Sequence, residues 1–79
     1  MKWFYFHIVA VRGLIRDEEG SELADLDAAN AEAILDAREL MSDAVLRGHD
    51  ISRQTLQICD ETGMVLRSMV FADALREPA

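Results

Sequence analysis

The sequence predicts an α+β fold with the order β-β-α-β-β, in which one long helix packs on one face of an antiparallel four-stranded sheet. Three observations predict it. Residues 3–11 alternate as a half-buried strand does, and residues 26–47 contain no glycine or proline and are rich in alanine. Two further alternating segments, residues 54–60 and 64–71, flank a turn. A chain of 79 residues has room for one domain, residues 1–79, with residues 72–79 predicted as a frayed tail.

The first strand has one apolar face and one amphipathic face. Its predicted core face carries Phe4, Phe6, Ile8 and Ala10, and its outer face carries Trp3, Tyr5, His7, Val9 and Val11. Gly13 then predicts a turn, residues 14–16 a short return strand, and residues 17–20 a tight acidic turn. Residues 21–23 either extend this pairing or reverse it.

The helix prediction depends on its ends and on its apolar stripe. Asp25 can cap the helix start, and Gly48 can adopt the left-handed conformation that ends it. At 100° per residue one stripe faces the sheet, comprising Leu26, Ala33, Ala37, Leu40, Met41 and Ala44, flanked by Ala29, Ile34 and Val45. The small side chains in this stripe predict a close approach of helix and sheet.

The last two strands form a predicted hairpin. Leu56 and Ile58 point inward, which places Thr55, Gln57 and Cys59 on the outer face. Gly63 ends the hairpin turn, where a positive φ is expected. The inner face of residues 64–71 is ambiguous, because apolar residues occur at both parities.

Charge and composition exclude several classes of protein. The net charge is −7, and residues 17–43 hold ten acidic residues against one base, Arg38, so the chain is not expected to bind nucleic acid. The apolar run at residues 3–11 is far shorter than the roughly 20 residues of a membrane span. Cys59 is the single cysteine, so an intrachain disulfide is impossible and a cytoplasmic location is expected.

Several short segments carry a family resemblance. They are YFH at residues 5–7, GLI at 13–15, DEEG at 17–20, ELADL at 22–26 and VFADAL at 70–75, together with the alanine-rich helix. With these segments the chain resembles a family of short proteobacterial proteins described as a domain of unknown function. The resemblance implies a bacterial source and a stand-alone domain, and it implies no activity. Arg16 and Ala24 stand where such relatives often carry proline, a departure that affects only local turn geometry.

Three groups of polar residues are candidate sites. The acidic residues 17–22 lack the ligand spacing of a calcium loop, so we expect a solvated turn and no metal. An acidic helix stripe is either a docking face for a basic partner or, as we prefer, a solvated surface, and it comprises Asp25, Glu32, Asp36, Glu39 and Asp43. His7 and Cys59 share the outer sheet face, where a packed thiol is favoured over a nucleophile.

The uncovered sheet face is the most informative prediction. One helix covers one side of the sheet, so Trp3, Tyr5 and Val9 of the first strand, with apolar residues of the last strand, remain open on the other. We therefore expect a non-catalytic interaction module without a cofactor, which forms homo-oligomers or docks on another protein. The predicted contact residues are Trp3, Tyr5, His7, Val9, Leu35 and Leu46. The alternative is a small enzyme or ligand-binding protein with a site near His7 on the same face.

Overall fold

The computed structural model describes residues 1–76 and confirms the α+β class: one helix packs on an antiparallel sheet. The sheet has five strands instead of the predicted four, because residues 21–23 also form a strand. The elements are β1 (Lys2–Ala10), β2 (Gly13–Ile15), β3 (Ser21–Leu23), α1 (Leu26–Leu46), β4 (Thr55–Cys59), β5 (Val65–Val70) and a 3₁₀ helix (Phe71–Leu75).

β1 is the centre of the sheet. The strand order is β2-β1-β4-β5, and β3 pairs with the same edge of β1 as β2 does. β2 pairs with the C-terminal end of β1, where Ile8 lies opposite Ile15, and β3 pairs with its N-terminal end, where Phe4 lies opposite Ser21. Residues 21–23 therefore extend the pairing, which decides between the two predicted alternatives. The length of β1 allows it to hold two short partners on one edge.

The core lies between the sheet and α1, as the alternation of β1 predicts. Its fully buried members are Phe4, Ala29, Ala33, Ala37, Met41, Leu56, Ile58, Phe71 and Ala74. Phe6 and Ile8 are half-buried and pack against this cluster, so the predicted strand register is correct. Leu40, predicted to face the sheet, is 39% exposed, and Val45, predicted to flank that stripe, is 67% exposed. They lie on the flanks of the contact because α1 touches the sheet through a narrow line of alanines.

α1 begins and ends close to the predicted residues. The Asp25 carboxylate accepts a hydrogen bond from the Ala28 N–H at 2.8 Å, which satisfies one free donor of the first turn. The helix ends at Leu46, and Gly48 follows with φ +81°. Among residues 1–76, no helix combines the length and the apolar character that crossing a membrane requires.

The C-terminal segment is more ordered than predicted. Leu56 lies opposite Met69, which turns Met69 toward the core and settles the ambiguous inner face of β5. Residues 72–75, predicted to begin a frayed tail, belong to the 3₁₀ helix. Ala74 of this helix is buried, and its carbonyl accepts a hydrogen bond from Arg38 Nε at 2.8 Å. The rest of the predicted tail, residues 77–79, lies outside the described residues.

Candidate functional site

The outer face of the sheet, opposite α1, is a largely apolar surface that no element within residues 1–76 covers. The strand register places on it Trp3, Tyr5, His7 and Val9 of β1, together with Leu14, Glu22, Thr55, Gln57, Cys59, Val65, Ser68 and Val70. Trp3, Val9 and Val70 are each about 40% exposed. Within this set Glu22 is the one acidic residue, and His7 is the one residue with a basic group. The face is therefore apolar and nearly uncharged.

A polar row crosses the middle of the outer face. His7 lies opposite Gln57, and Gln57 lies opposite Ser68, so the row spans three adjacent strands. The apolar pairs lie on both sides of it: Val9 and Leu14 toward one end, and Trp3 toward the other. This arrangement supplies hydrogen-bonding groups inside an apolar surface, which is the usual composition of a protein contact.

Tyr5 is packed against the acidic turn. An added Cβ at Gly20 would lie 2.6 Å from Tyr5 Cε2, and Gly20 has φ +71°, so both space and backbone require glycine there. The Tyr5 ring also stacks with the His7 ring, with centroids 6.4 Å apart and an interplanar angle of 23°. Tyr5 and His7 are half-buried, so part of each ring remains accessible on the outer face.

Asp17 closes the gap between β2 and β3 along the edge of β1. Its Oδ2 accepts from the Phe6 N–H at 3.1 Å, and its Oδ1 accepts from the Gly20 and Glu19 N–H groups at 3.1 and 3.3 Å. Its own N–H donates to His7 Nδ1 at 3.0 Å. Nδ1 of His7 is therefore a hydrogen-bond acceptor, which leaves Nε2 as the ring nitrogen that can donate. Asp17 is thus a structural residue, which corrects the expectation of a simply solvated turn.

Cys59 is a buried free thiol on the outer side of β4. It lies opposite Tyr5 and is 1% exposed. Burial, assisted by the charge of Asp60 and opposed by Arg16, raises the pKa of the Cys59 thiol. A nucleophilic cysteine needs a lowered pKa and a base in hydrogen-bond contact. No hydrogen bond joins His7 to Cys59 in residues 1–76, and the His7 Nδ1 that could act as a base already accepts from Asp17.

A cleft of about 340 Å³ opens beside His7. It is lined by Tyr5, His7, Arg16, Asp17, Glu18, Asp60, Glu61 and Gly63. Its volume is at the low end of the roughly 300–1,000 Å³ typical of small-molecule sites. The His7 Nδ1 and the Asp17 carboxylate on its wall are already bonded to backbone N–H groups. The histidine and aspartate acceptors of the cleft are therefore engaged, and the charged groups of Arg16, Glu18 and Glu61 remain on its lining.

The two predicted helix residues lie apart from the outer face. Leu35 is 57% exposed on α1, on the side of the molecule that the helix covers. Leu46, 83% exposed, lines a cavity of about 450 Å³ at the end of α1 together with Val45, Ile51 and Leu75. The structure thus brings four of the six predicted contact residues together on β1 and places the other two elsewhere.

A second surface, the acidic groove, runs between α1 and residues 16–20. Its volume is about 660 Å³, and it is lined by Phe6, Ile8, Arg16, Asp17, Glu18, Glu19, Gly20, Ser21, Asp36, Glu39, Leu40, Asp43 and Leu56. The lining contains six carboxylates and one guanidinium. Burial, with the charges of Glu32, Glu39 and Asp17, raises the pKa of Asp36. Asp17 contributes across the groove, so carboxylates from two separate elements share one electrostatic field.

Sequence reasoning missed part of both surfaces. Leu14 of the outer face was not expected there. Apolar residues of the last strand were expected, and only the pairing register, which one sequence does not reveal, identifies them as Val65 and Val70. The two halves of the acidic groove, residues 17–22 and the acidic helix stripe, were identified in the sequence as separate groups, and their meeting across one groove was not predicted. Of that stripe Asp36, Glu39 and Asp43 line the groove, while Asp25 caps α1. Within residues 1–76, no group of three histidine, cysteine or acidic side chains is arranged as metal ligands would be.

Comparison of the chain with known proteins identifies a family for which the description states no activity. A family model described as "Domain of unknown function (DUF6894)" matches residues 3–72 of the 79-residue chain. No curated protein matches the chain, and no solved structure matches it either.

Proposed function

Since the chain belongs to the DUF6894 family, whose description carries no activity, we propose from its surface that it is a cytoplasmic interaction module that forms a homodimer through the outer sheet face. The observation that carries the proposal is the uncovered apolar face of β1 and its neighbours. Trp3, Val9, Leu14, Val65 and Val70 are all at least 39% exposed on one side of a single sheet. Monomeric proteins rarely leave a contiguous surface of this kind in water.

The size of the face suits a stable dimer. The Cα atoms extend over 36 × 30 × 17 Å, so the molecule is a slab two layers thick and the sheet forms one broad side. A standard interface buries about 800 Å² on each partner, which is less than the area of that side. A second copy is the simplest occupant, because a two-fold axis through the face lets the same apolar patch cover itself.

The distribution of charge supports the same occupant. The acidic residues Asp36, Glu39 and Asp43 of α1 lie on the helix side, and the strand residues of the outer face include the single carboxylate Glu22. The carboxylates nearest the face otherwise line the cleft beside His7, and they belong to Asp17, Glu18, Asp60 and Glu61. Two copies can therefore approach through their outer faces while most of their net charge of −7 each stays apart and hydrated. The row formed by His7, Gln57 and Ser68 supplies polar groups for pairing across the axis.

A cytoplasmic location fits the free Cys59 thiol, which remains reduced in that compartment. A ligand-binding role at the cleft beside His7 has weaker support. Its histidine and aspartate acceptors are occupied by backbone donors, and its volume is small.

The test is the molar mass in solution, measured by light scattering on the eluting peak at micromolar concentration. The wild type should be a dimer, and Trp3→Glu should be a monomer with an unchanged far-ultraviolet circular dichroism spectrum, because it adds one charge to the proposed contact. Leu35→Glu is the matched control. It adds the same charge at a residue of similar exposure on α1 and should remain a dimer. A monomeric wild type, or two variants with the same mass, would refute the proposal.

A further inference from the structure

We propose that the acidic groove binds a basic, amphipathic segment of a protein partner, with an apolar side chain on the groove floor and lysine or arginine side chains along its walls. This site lies on the helix side of the sheet, so it is separate from the proposed dimer face. The proposal does not depend on dimer formation. Three properties of the groove carry it: an apolar floor, walls of one sign of charge, and a size suited to a short segment.

The floor of the groove is apolar and accessible. Phe6 and Ile8 are only half-buried although they point toward the core side of β1. Leu40, which the helical periodicity directs toward the sheet, is 39% exposed at the groove rim. α1 touches the sheet through alanines, so these larger side chains are left uncovered along one flank of the helix. An apolar side chain of a partner would cover them.

The walls carry uncompensated negative charge. Asp36, Glu39 and Asp43 come from α1, and Asp17, Glu18 and Glu19 come from the acidic turn, with Arg16 as the one base of the lining. None of these six carboxylates forms an ion pair with a base in residues 1–76. Like charges held on facing elements destabilise a fold. Natural proteins retain such unfavourable arrangements mainly at functional sites. A cationic partner would supply the missing counter-charge.

The spread of the charges selects a peptide segment over a metal ion. The described side chains provide no group of three metal ligands, so the carboxylates do not converge on one point. They follow both sides of a trough of about 660 Å³, a volume within the range of sites that enclose a ligand of several connected groups. An amphipathic segment with alternating basic and apolar side chains matches walls and floor together.

The experiment uses two fluorescent synthetic peptides of equal positive charge, one alternating lysine with leucine and one alternating lysine with serine. Fluorescence anisotropy at about 150 mM salt, where exposed charges are largely screened, measures their affinities for the full chain. The leucine peptide should bind at least about tenfold more tightly than the serine peptide, because only leucine covers the apolar floor. Equal affinities, or no binding of the leucine peptide, would overturn the proposal.

Matched variants then locate the site. Neutralising the α1 wall in the triple variant Asp36→Asn, Glu39→Gln, Asp43→Asn should weaken binding of the leucine peptide on the order of tenfold. The change relieves repulsion between neighbouring carboxylates, so this variant should fold at least as well as the wild type.

The control variant removes the same number of charges outside the groove: Asp27→Asn, Glu61→Gln, Asp73→Asn. Its affinity for the leucine peptide should fall by less than about threefold, because only the net charge of the protein has changed. An equal loss in both triple variants would show that the peptide responds only to net charge, and it would overturn the assignment to the groove.

Discussion

Asp17 is predicted to be the most important polar residue for stability, and Asp17→Ala tests this. The substitution removes the acceptor of three backbone N–H groups, those of Phe6, Glu19 and Gly20. The Phe6 and Gly20 donors are partly buried, and an unsatisfied buried donor costs about 1–3 kcal/mol, whereas the exposed Glu19 N–H can bond to water. Two such donors would cost about 2–6 kcal/mol if fully buried, and because both are only partly buried the expected loss is about 2–4 kcal/mol.

That loss is large for this chain. A native stability of about 0.05–0.15 kcal/mol per residue gives a total of roughly 4–12 kcal/mol for a domain of this size. Asp17→Ala should lower Tm by about 10–25 °C. Urea unfolding followed by circular dichroism measures the change in free energy, and amide hydrogen exchange measures the Phe6 N–H directly. We expect that amide to exchange much faster in the variant than in the wild type.

Two further variants make the test specific. Asp17→Asn keeps one carbonyl oxygen and should lose about half as much free energy, because it can serve either Phe6 or the turn but not both. Glu18→Ala changes an exposed neighbour of the same charge, with no hydrogen bond of its side chain among the described residues, and should be within about 0.5 kcal/mol of the wild type. If Asp17→Ala and Glu18→Ala had the same free energy of unfolding, and the Phe6 amide exchanged no faster in Asp17→Ala, the proposed role of Asp17 between β2 and β3 would be wrong.

Three other predictions concern the same half of the molecule. Gly20→Ala should lower the free energy of unfolding by about 2–5 kcal/mol, since it combines a left-handed backbone with a clash against Tyr5. Gly63→Ala, with open space around its Cβ, should lower it by only about 1–2 kcal/mol. Urea unfolding measures both values. The raised pKa of Asp36 means that the folded state retains this proton to higher pH than the unfolded chain, so stability falls as pH rises above 3.8 through the raised value. Asp36→Asn should therefore raise Tm more at pH 7 than at pH 4, and an equal gain at both would contradict the assignment. Millimolar Ca²⁺ or a chelator should leave the melting temperature unchanged, because the acidic turn lacks calcium-ligand spacing, and a clear Ca²⁺-dependent rise would show a metal site there.

The elements that local chemistry determines were predictable from the sequence. The Asp25 cap and Gly48 fix the two ends of α1 to within one residue of the prediction. Alternation in β1 and β4 assigned the inward side chains correctly. Phe4 and Leu56 are buried as predicted, whereas a register shifted by one residue would have exposed both. The position of Trp3, Tyr5, His7 and Val9 on one outer face followed from the same alternation.

The parts that depend on tertiary contacts were not predictable. Asp17 and Phe6 are eleven residues apart, and only the pairing of β2 and β3 with one edge of β1 brings them together. An irregularity beside Cys59 places Val65 opposite it, so parity counted along β5 alone does not assign its faces. Leu40 was misplaced because periodicity gives the direction of a side chain but not the width of the helix–sheet contact.

The central position of β1 has a consequence for how the chain folds. β1 can form its hairpin with β2 locally, since Ala10 and Gly13 are paired across a two-residue turn, and β3 follows within about 20 residues. Its pairing with β4, in which Tyr5 lies opposite Cys59, must close a loop of about fifty residues that contains all of α1. Because loop closure comes before the contacts that compensate for its entropy, we expect the β1–β4 pairing to be the slow step of folding. Until that step is complete, the inner face of the longest strand remains open to water.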